Sequence, residues 1–267
     1  MAYAVAVSLV LVVTTLVVSC VGWLRSGNDP SRTATEATQF ALSAAGIMTA
    51  AGVSSGVLAA VALVTARLQT RDVLVRLRLA PTRASAAGLV ATIVGMAGLS
   101  LACGAASDLL GERGQGAMGM ISHALERPTP GRLMVAIATI AIAPGVAEEM
   151  FFRGMVQTTL TSRAGRWPSI IVTALGFGLM HLDPRQGVVA FVAGLFLGWV
   201  SERFGGIRPS MAAHICNNGA FVLLASFGSE TDSTKGGDLV VIAGGLIAWA
   251  AATTLVRSRF AVRRALS

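Results

Sequence analysis

Long runs without a charged residue dominate this sequence and decide the environment in which the chain can fold. Five of them, 3–24, 37–66, 84–107, 209–229 and 239–256, are long enough to cross a bilayer as helices. A helix rises about 1.5 Å per residue, so roughly 20 apolar residues cross a hydrocarbon core about 30 Å thick. Only 13% of the 267 residues are charged and 54% are hydrophobic, whereas a soluble domain carries about a quarter charged residues. The composition therefore excludes a soluble globular protein and indicates an integral membrane protein.

Three shorter apolar runs, 133–147, 167–180 and 186–201, reach the length of a span only when neighbouring ionisable residues are included. Counting them gives about eight transmembrane helices, with seven as the alternative. The predicted fold class is all-α, a polytopic transmembrane helix bundle that forms one integral membrane domain over residues 1–267. Residues 108–132, which are rich in glycine and polar side chains, are predicted to be the longest loop.

The basic residues predict the orientation of the bundle. With eight spans, most of the arginines collect on the side that holds both termini, and because Lys and Arg favour cytoplasmic loops, we expect both termini in the cytoplasm. No Lys or Arg precedes the first apolar run, which favours an uncleaved first helix over a signal peptide. The net charge of +8 is expected to face anionic lipid headgroups. Because the arginines are not interleaved with aromatic residues, we expect no nucleic-acid partner.

Ionisable and amide side chains occur at three places within or next to the apolar runs, and these are the candidate functional residues. They are Glu148, Glu149 and Arg153 in the fourth predicted helix, His181 in the fifth, and His214, Asn217 and Asn218 in the seventh. A charge that faces hydrocarbon at mid-depth costs about 2.5–3.5 kcal/mol, so such residues are expected to face a protein interior.

Spacing assigns partners within the acidic cluster. Glu149 and Arg153 are four residues apart with the acid first, which is the favourable order for an ion pair on one face of a helix. Glu148 is rotated by about 100° from Glu149 and is left free to act on another group. The alternative is that all three charges form a structural ion-pair network.

The histidines also have neighbours at helical spacing. Phe177 precedes His181 by four residues, so its ring can pack against the imidazole, and His214 precedes Asn218 by four. Taken alone, each histidine could instead serve as an interhelical hydrogen-bonding residue.

The candidate residues fall into three short motifs. Residues 148–154 read EEMFFRG, residues 177–181 read FGLMH and residues 214–218 read HICNN, which correspond to EExxxR, FxxxH and HxxxN. In this order and spacing the motifs resemble the CPBP family, which comprises the CAAX prenyl endopeptidases and their bacterial relatives, often called Abi or bacteriocin-processing proteins. The resemblance covers about residues 130–225 as a catalytic core. It implies an intramembrane endopeptidase of the bacterial cytoplasmic membrane that acts on peptides or proteins in or at the bilayer.

Peptide hydrolysis needs an activated water, a stabiliser of the tetrahedral oxyanion and a proton donor for the leaving amine. Glu148 is the predicted general base, and His181 is predicted to share the attacking water. His214 and Asn218 are the predicted hydrogen-bond donors to the oxyanion. The resemblance implies the same division of roles, with the supporting residues Glu149, Arg153 and Phe177.

The residue types leave metal dependence open. Zinc binds His nitrogen and Glu oxygen, and two His plus one Glu with an open water position form a known catalytic ligand set. If a divalent metal such as Zn²⁺ is present, its candidate ligands are Glu148, His181 and His214. The sequence contains no HExxH motif, and an asparagine is an uncommon zinc ligand, which favours the oxyanion role of Asn218.

Two other functions would use the same residues. A transporter or proton-relay protein would pass ions along the buried acids and histidines, but the sequence shows neither inverted repeats nor paired broken helices. A non-catalytic immunity or scaffold protein would only bind a peptide or partner, and the intact motifs favour the protease over it.

Overall fold

The computed structural model describes residues 2–82, 84–111, 114–228 and 235–259, and all the regular structure within these ranges is helical. In chain order the α-helices are α1 (Ala2–Arg25), α2 (Pro30–Leu42), α3 (Ala44–Gln69), α4 (Val73–Arg76), α5 (Ala86–Leu109), α6 (Gly116–Ala124), α7 (Pro130–Ala136), α8 (Ala143–Glu148), α9 (Thr158–Ala164), α10 (Arg166–Leu179), α11 (Pro184–Phe204), α12 (Arg208–Phe227) and α13 (Lys235–Arg259). Two π-helical segments, Ile137–Ile142 and Glu149–Gln157, join α7 to α8 and α8 to α9. Together these five pieces form one continuous helix, Pro130–Ala164, which is called the site helix below.

Six helices in the described part of the chain are long and apolar enough to cross a membrane: Tyr3–Arg25, Ala44–Gln69, Ala86–Leu109, Pro130–Ala164, Pro184–Phe204 and Lys235–Ser258. The predicted all-α membrane bundle is thus confirmed, whereas the predicted count of eight spans is not. The predicted runs 167–180 and 209–229 correspond to α10 and α12, but α10 has only 14 residues and α12 contains the polar motif 214–218. The predicted end at Ser229 lies outside the described residues, as do Met1 and residues 260–267.

The second predicted run, 37–66, is interrupted at Ser43. This residue ends α2 and caps α3, because its Oγ accepts a hydrogen bond from the Gly46 N–H at 3.1 Å. A cap residue of this kind has an extended backbone, here with φ −78° and ψ 157°, so the helix stops and restarts there. The predicted loop 108–132 likewise contains a short helix, α6.

The site helix is not a uniform α-helix. Pro144 lacks the N–H that an α-helix would direct to the carbonyl of Ile140, and it lies two residues after the end of the first π-helical segment. The Ala143 N–H bonds to the Ala138 carbonyl, which is the five-residue spacing of a π-helix. The second π-helical segment starts at Glu149. Such segments are rare and often lie at functional sites.

The site helix also lies within the largest apolar cluster. Phe151 and Phe152, both fully buried, pack with Leu58 and Ala62 of α3. The helices α10, α11 and α12 contact the site helix as well. This packing keeps lipid away from the polar residues of the helix.

Small residues allow α5 and α13 to pack closely. A Cβ added to Gly98 would lie 2.6 Å from the carbonyl oxygen of Gly245, and a Cβ added to Gly245 would in turn meet the carbonyl oxygen of Gly98. Small residues of this kind let helix backbones approach in membranes, where van der Waals packing drives helix association. The two glycines therefore allow the backbones of the two helices to pack in direct contact.

We expect Gly245→Ala to lower the midpoint of thermal unfolding of the protein in detergent, because the new methyl group meets the Gly98 carbonyl and overpacking typically costs about 1–3 kcal/mol. Gly244→Ala is the matched control, because nothing lies within 4 Å of the position its Cβ would take. Equal unfolding midpoints for the two variants would contradict the close approach of α5 and α13.

Candidate active site

The centre of the site is a buried ion pair on the site helix. Arg153 Nη1 donates to Glu149 Oε1 at 2.8 Å, and both side chains are 0% exposed. Arg153 Nη2 also donates to the Gly194 carbonyl of α11 at 3.3 Å, and the guanidinium carbon lies 4.6 Å from the centre of the Phe177 ring. The ion pair predicted from the four-residue spacing is confirmed. A buried charge without its partner is strongly destabilising, so the two side chains are held as a unit.

His214 lies between the two glutamates. Its Nδ1 is 3.2 Å from Glu149 Oε1, and its Nε2 is 3.7 Å from Glu148 Oε2. Because an ionised carboxylate only accepts hydrogen bonds, the shorter contact requires a proton on Nδ1. Glu149 thereby fixes the orientation of the imidazole and directs Nε2 towards Glu148.

A glycine brings α12 close enough to the site helix for this contact. A Cβ added to Gly145 would lie 3.0 Å from the backbone nitrogen of Ile215 and 2.5 Å from its Cγ1. Gly145 is one turn before the two glutamates, and Ile215 adjoins His214 in sequence. The absence of a side chain at Gly145 therefore sets the distance between the glutamates and His214.

The two glutamates differ in exposure. The side chain of Glu148 is 14% exposed, whereas that of Glu149 is completely buried. Arg153 donates its hydrogen bond to Glu149, which leaves the carboxylate of Glu148 beside His214 and within reach of water.

Phe177 connects the two histidines. Its ring makes edge contacts with His181, at 5.0 Å between centroids, and with His214, at 5.8 Å. The predicted packing of Phe177 on His181 is confirmed, while the contact with His214 was not predicted.

The orientation of His181 follows from one hydrogen bond. Its Nδ1 lies 2.8 Å from the Phe177 carbonyl oxygen, and a carbonyl only accepts, so Nδ1 carries the proton of this bond. In the neutral imidazole, Nε2 then keeps a free lone pair.

Asp183 anchors the turn that follows His181. Its carboxylate accepts backbone hydrogen bonds from Gln186 and Arg185 at the start of α11 and from Ala117 of α6. The bonds from Gln186 and Ala117 are the main cause that lowers the pKa of Asp183 from its ordinary value. The His181 carbonyl also accepts from the Asp183 N–H at 2.7 Å. The prediction that His181 lies in the fifth helix is therefore wrong, because α10 ends at Leu179 and the histidine lies in a turn that is tied to two helices.

Asn218 lies one turn after His214 on α12 and contacts a different part of the site helix. Its Nδ2 donates to the Ile140 carbonyl at 3.3 Å, the carbonyl that Pro144 leaves without its α-helical partner. The amide group has a second N–H, so Asn218 keeps one donor after this bond.

Gln157 is a buried polar residue of the site helix that lies outside the three sequence motifs. Its Nε2 donates to the Gly198 carbonyl at 3.0 Å and to Glu202 Oε1 at 3.0 Å on α11, and Glu202 pairs with Arg78. The signal was its spacing, because Glu149, Arg153 and Gln157 recur every four residues, as do Gly194 and Gly198 on α11.

The structure therefore brings most of the predicted site residues into one connected group. Direct contacts join Glu148, Glu149, Arg153, Phe177 and His214, and His181 joins them through Phe177. Asn218 bonds to Ile140 and Asn217 and stays one helical turn from His214.

The candidate metal ligands are of the right chemical types, but the fit to a metal ion is poor. Across the described residues, no three His, Cys, Asp or Glu side chains are arranged so that they could hold an ion. The carboxylate of Glu149, which lies beside His214 Nδ1, is already paired with Arg153.

Comparison with protein families identifies one segment of the chain. Residues 130–220, about a third of the chain, match the family model described as type II CAAX prenyl endopeptidase Rce1-like. No curated protein and no solved structure matches the chain. The matched segment begins with the site helix and ends within α12, so it contains every residue of the three motifs. Residues 130–220 of this integral membrane protein are therefore similar to the type II CAAX prenyl endopeptidase Rce1-like family, in agreement with the resemblance of the three motifs.

Proposed function

We propose that the protein is an intramembrane endopeptidase that hydrolyses peptide bonds of membrane-associated peptides or proteins, with residues 130–225 as its catalytic core. The observation that carries the proposal is the division of the two adjacent glutamates. One is buried against Arg153 and orients His214, and the other, Glu148, is partly exposed beside the same imidazole. The family match supports the peptidase class.

Glu148 is the general base of the proposed reaction. Its carboxylate takes a proton from a water molecule while the water oxygen attacks the carbonyl carbon of the scissile peptide bond. When the C–N bond breaks, Glu148 returns the proton to the leaving amine nitrogen. The partial exposure of this side chain supports the role, since the base must be reached by water.

His181 positions the attacking water. The hydrogen bond from Nδ1 to the Phe177 carbonyl leaves Nε2 as an acceptor in the neutral ring. A water that donates one hydrogen to His181 and the other to Glu148 has its oxygen lone pair free for attack.

His214 and Asn218 stabilise the oxyanion of the tetrahedral intermediate. Asn218 keeps one N–H after its bond to Ile140, and His214 donates from Nε2, a role that requires a proton on that nitrogen in addition to the one on Nδ1. Donors fixed before the reaction are effective because they need no reorganisation as charge develops. Glu149, Arg153 and Phe177 keep the two histidines in place.

The cytoplasmic membrane of a bacterium is the proposed location, with both termini in the cytoplasm. The arginine-rich loops support this orientation through the positive-inside preference. The lipid bilayer and peptides held in it are then the partners of the protein.

We expect the variants Glu148→Ala, His181→Ala and His214→Ala to reduce cleavage of a membrane-anchored peptide by at least 100-fold, since positioned proton transfer typically contributes 10²–10⁴-fold. The assay uses purified protein in detergent with mass-spectrometric detection of the products. His123→Ala is the matched control, because His123 is an exposed histidine that pairs only with its neighbour Glu126 among the described contacts. A Glu148→Ala variant that inserts normally and cleaves at the wild-type rate would refute the assignment.

No step of the proposed reaction uses a metal ion, and treatment with a chelator tests this. We expect cleavage activity to survive treatment with a strong zinc chelator, because the three candidate ligands Glu148, His181 and His214 are not arranged as a set. Elemental analysis of the purified protein runs in parallel. Loss of activity that stoichiometric zinc restores would contradict the metal-free reaction.

A further inference from the structure

A cavity of about 350 Å³ lies at one end of the bundle, where α3 and the site helix end. It is lined by Gln69, Arg76, Thr158, Thr159, Ser162 and Arg163. Two of these six residues are arginines and none is acidic. The cavity is separate from the group of Glu148 and the histidines, and the proposed reaction does not use it.

The donors around this cavity are only partly occupied. Arg76 donates from Nε to Gln69 Oε1 at 2.6 Å, from Nη2 to Thr159 Oγ1 at 3.0 Å and from Nη1 to the Gly154 carbonyl at 3.4 Å. A guanidinium has five N–H groups, so two remain, and Gln69 keeps both hydrogens of its amide. In the described part of the chain the exposed Arg163 side chain makes no hydrogen bond or ion pair. The cavity therefore presents positive charge and free N–H donors, which suit a phosphate group.

Exposed apolar side chains lie next to the cavity residues in the chain. Leu68 of α3 and Leu74 and Val75 of α4 are 83%, 59% and 60% exposed. Leu68 precedes Gln69, and the pair Leu74 and Val75 precedes Arg76. The helix α4 is too short to span a membrane, so its exposed apolar side chains next to Arg76 indicate that it lies at the membrane surface. A ligand that combines a phosphate with acyl chains fits both the basic cavity and the exposed apolar residues beside it. A free phosphate would contact only the basic cavity.

We propose that this cavity binds the phosphate of an anionic phospholipid headgroup, with the acyl chains lying along the exposed apolar residues of α3 and α4. Basic pockets between membrane helices are known to take lipid headgroups of this kind. Arg76 also donates to the carbonyl of Gly154, which follows Arg153 in the second π-helical segment. A headgroup bound by Arg76 is therefore connected to this segment through that hydrogen bond.

The test measures lipid binding and not cleavage. Purified protein in a neutral detergent is titrated by calorimetry with dihexanoyl phosphatidylglycerol, with dihexanoyl phosphatidylcholine and with inorganic phosphate. We expect the phosphatidylglycerol to bind at least tenfold more tightly than the other two. Equal affinity for the two lipids would overturn the headgroup assignment, and inorganic phosphate that binds as tightly as phosphatidylglycerol would overturn the lipid in favour of a free phosphate site.

Charge-neutral variants locate the site. Arg163→Gln and Arg76→Gln are each expected to weaken phosphatidylglycerol binding about fivefold, as expected for one basic residue near an anionic headgroup. Arg132→Gln, at the opposite end of the site helix, is the matched control and is expected to bind as the wild type. Arg163→Gln is the decisive variant because its side chain bonds to no other described residue, so it is expected to fold normally. The proposal fails if Arg163→Gln binds like the wild type, or if a peptide with a free carboxylate competes for the cavity while its amidated form does not.

Discussion

The site depends on a glutamate and an arginine that are buried together inside a membrane helix bundle. Glu149 and Arg153 are removed from both water and lipid, and each charge is tolerable there only because the other lies beside it. The groups that contact this pair are therefore fixed in position around it. Three groups contact the pair: the carbonyl of Gly194, the ring of Phe177 and the imidazole of His214. They belong to α11, α10 and α12, so these three helices are bound to one point of the site helix.

Departures from regular helix geometry make room for this arrangement. The second π-helical segment begins at Glu149, directly after Glu148, and the two glutamates end in different surroundings although they are adjacent in sequence. Gly145 allows α12 to approach, and Pro144 leaves the Ile140 carbonyl available to Asn218. Further along, Gln157 continues the polar face of the site helix to Glu202 and Arg78. The polar face that carries the buried ion pair thus extends to a charged pair near the C-terminal end of α11.

The sequence was sufficient to predict the membrane class, the all-α fold class and the Glu149–Arg153 pair, because hydropathy and four-residue spacing depend on local order alone. It did not predict the break at Ser43, since a serine within an apolar run is compatible with an unbroken helix. The count of spans was also not confirmed, because α10 is short and α12 carries polar residues whose burial is due to neighbouring helices. The contacts of His214 with Glu149 and Phe177, and of Asn218 with Ile140, join residues far apart in the chain. Spacing within one helix contains no information about such contacts.

In the proposed reaction the two adjacent glutamates have separate tasks, which a comparison of Glu148→Gln with Glu149→Gln distinguishes. Cleavage rate and the free energy of unfolding are measured for both variants under the same detergent conditions. We expect Glu148→Gln to lose at least 100-fold in cleavage rate with unchanged stability, and Glu149→Gln to be destabilised by about 3–5 kcal/mol because Arg153 is left buried without its counter-charge. Equal stability losses in the two variants, or wild-type cleavage by Glu148→Gln, would contradict this separation of tasks.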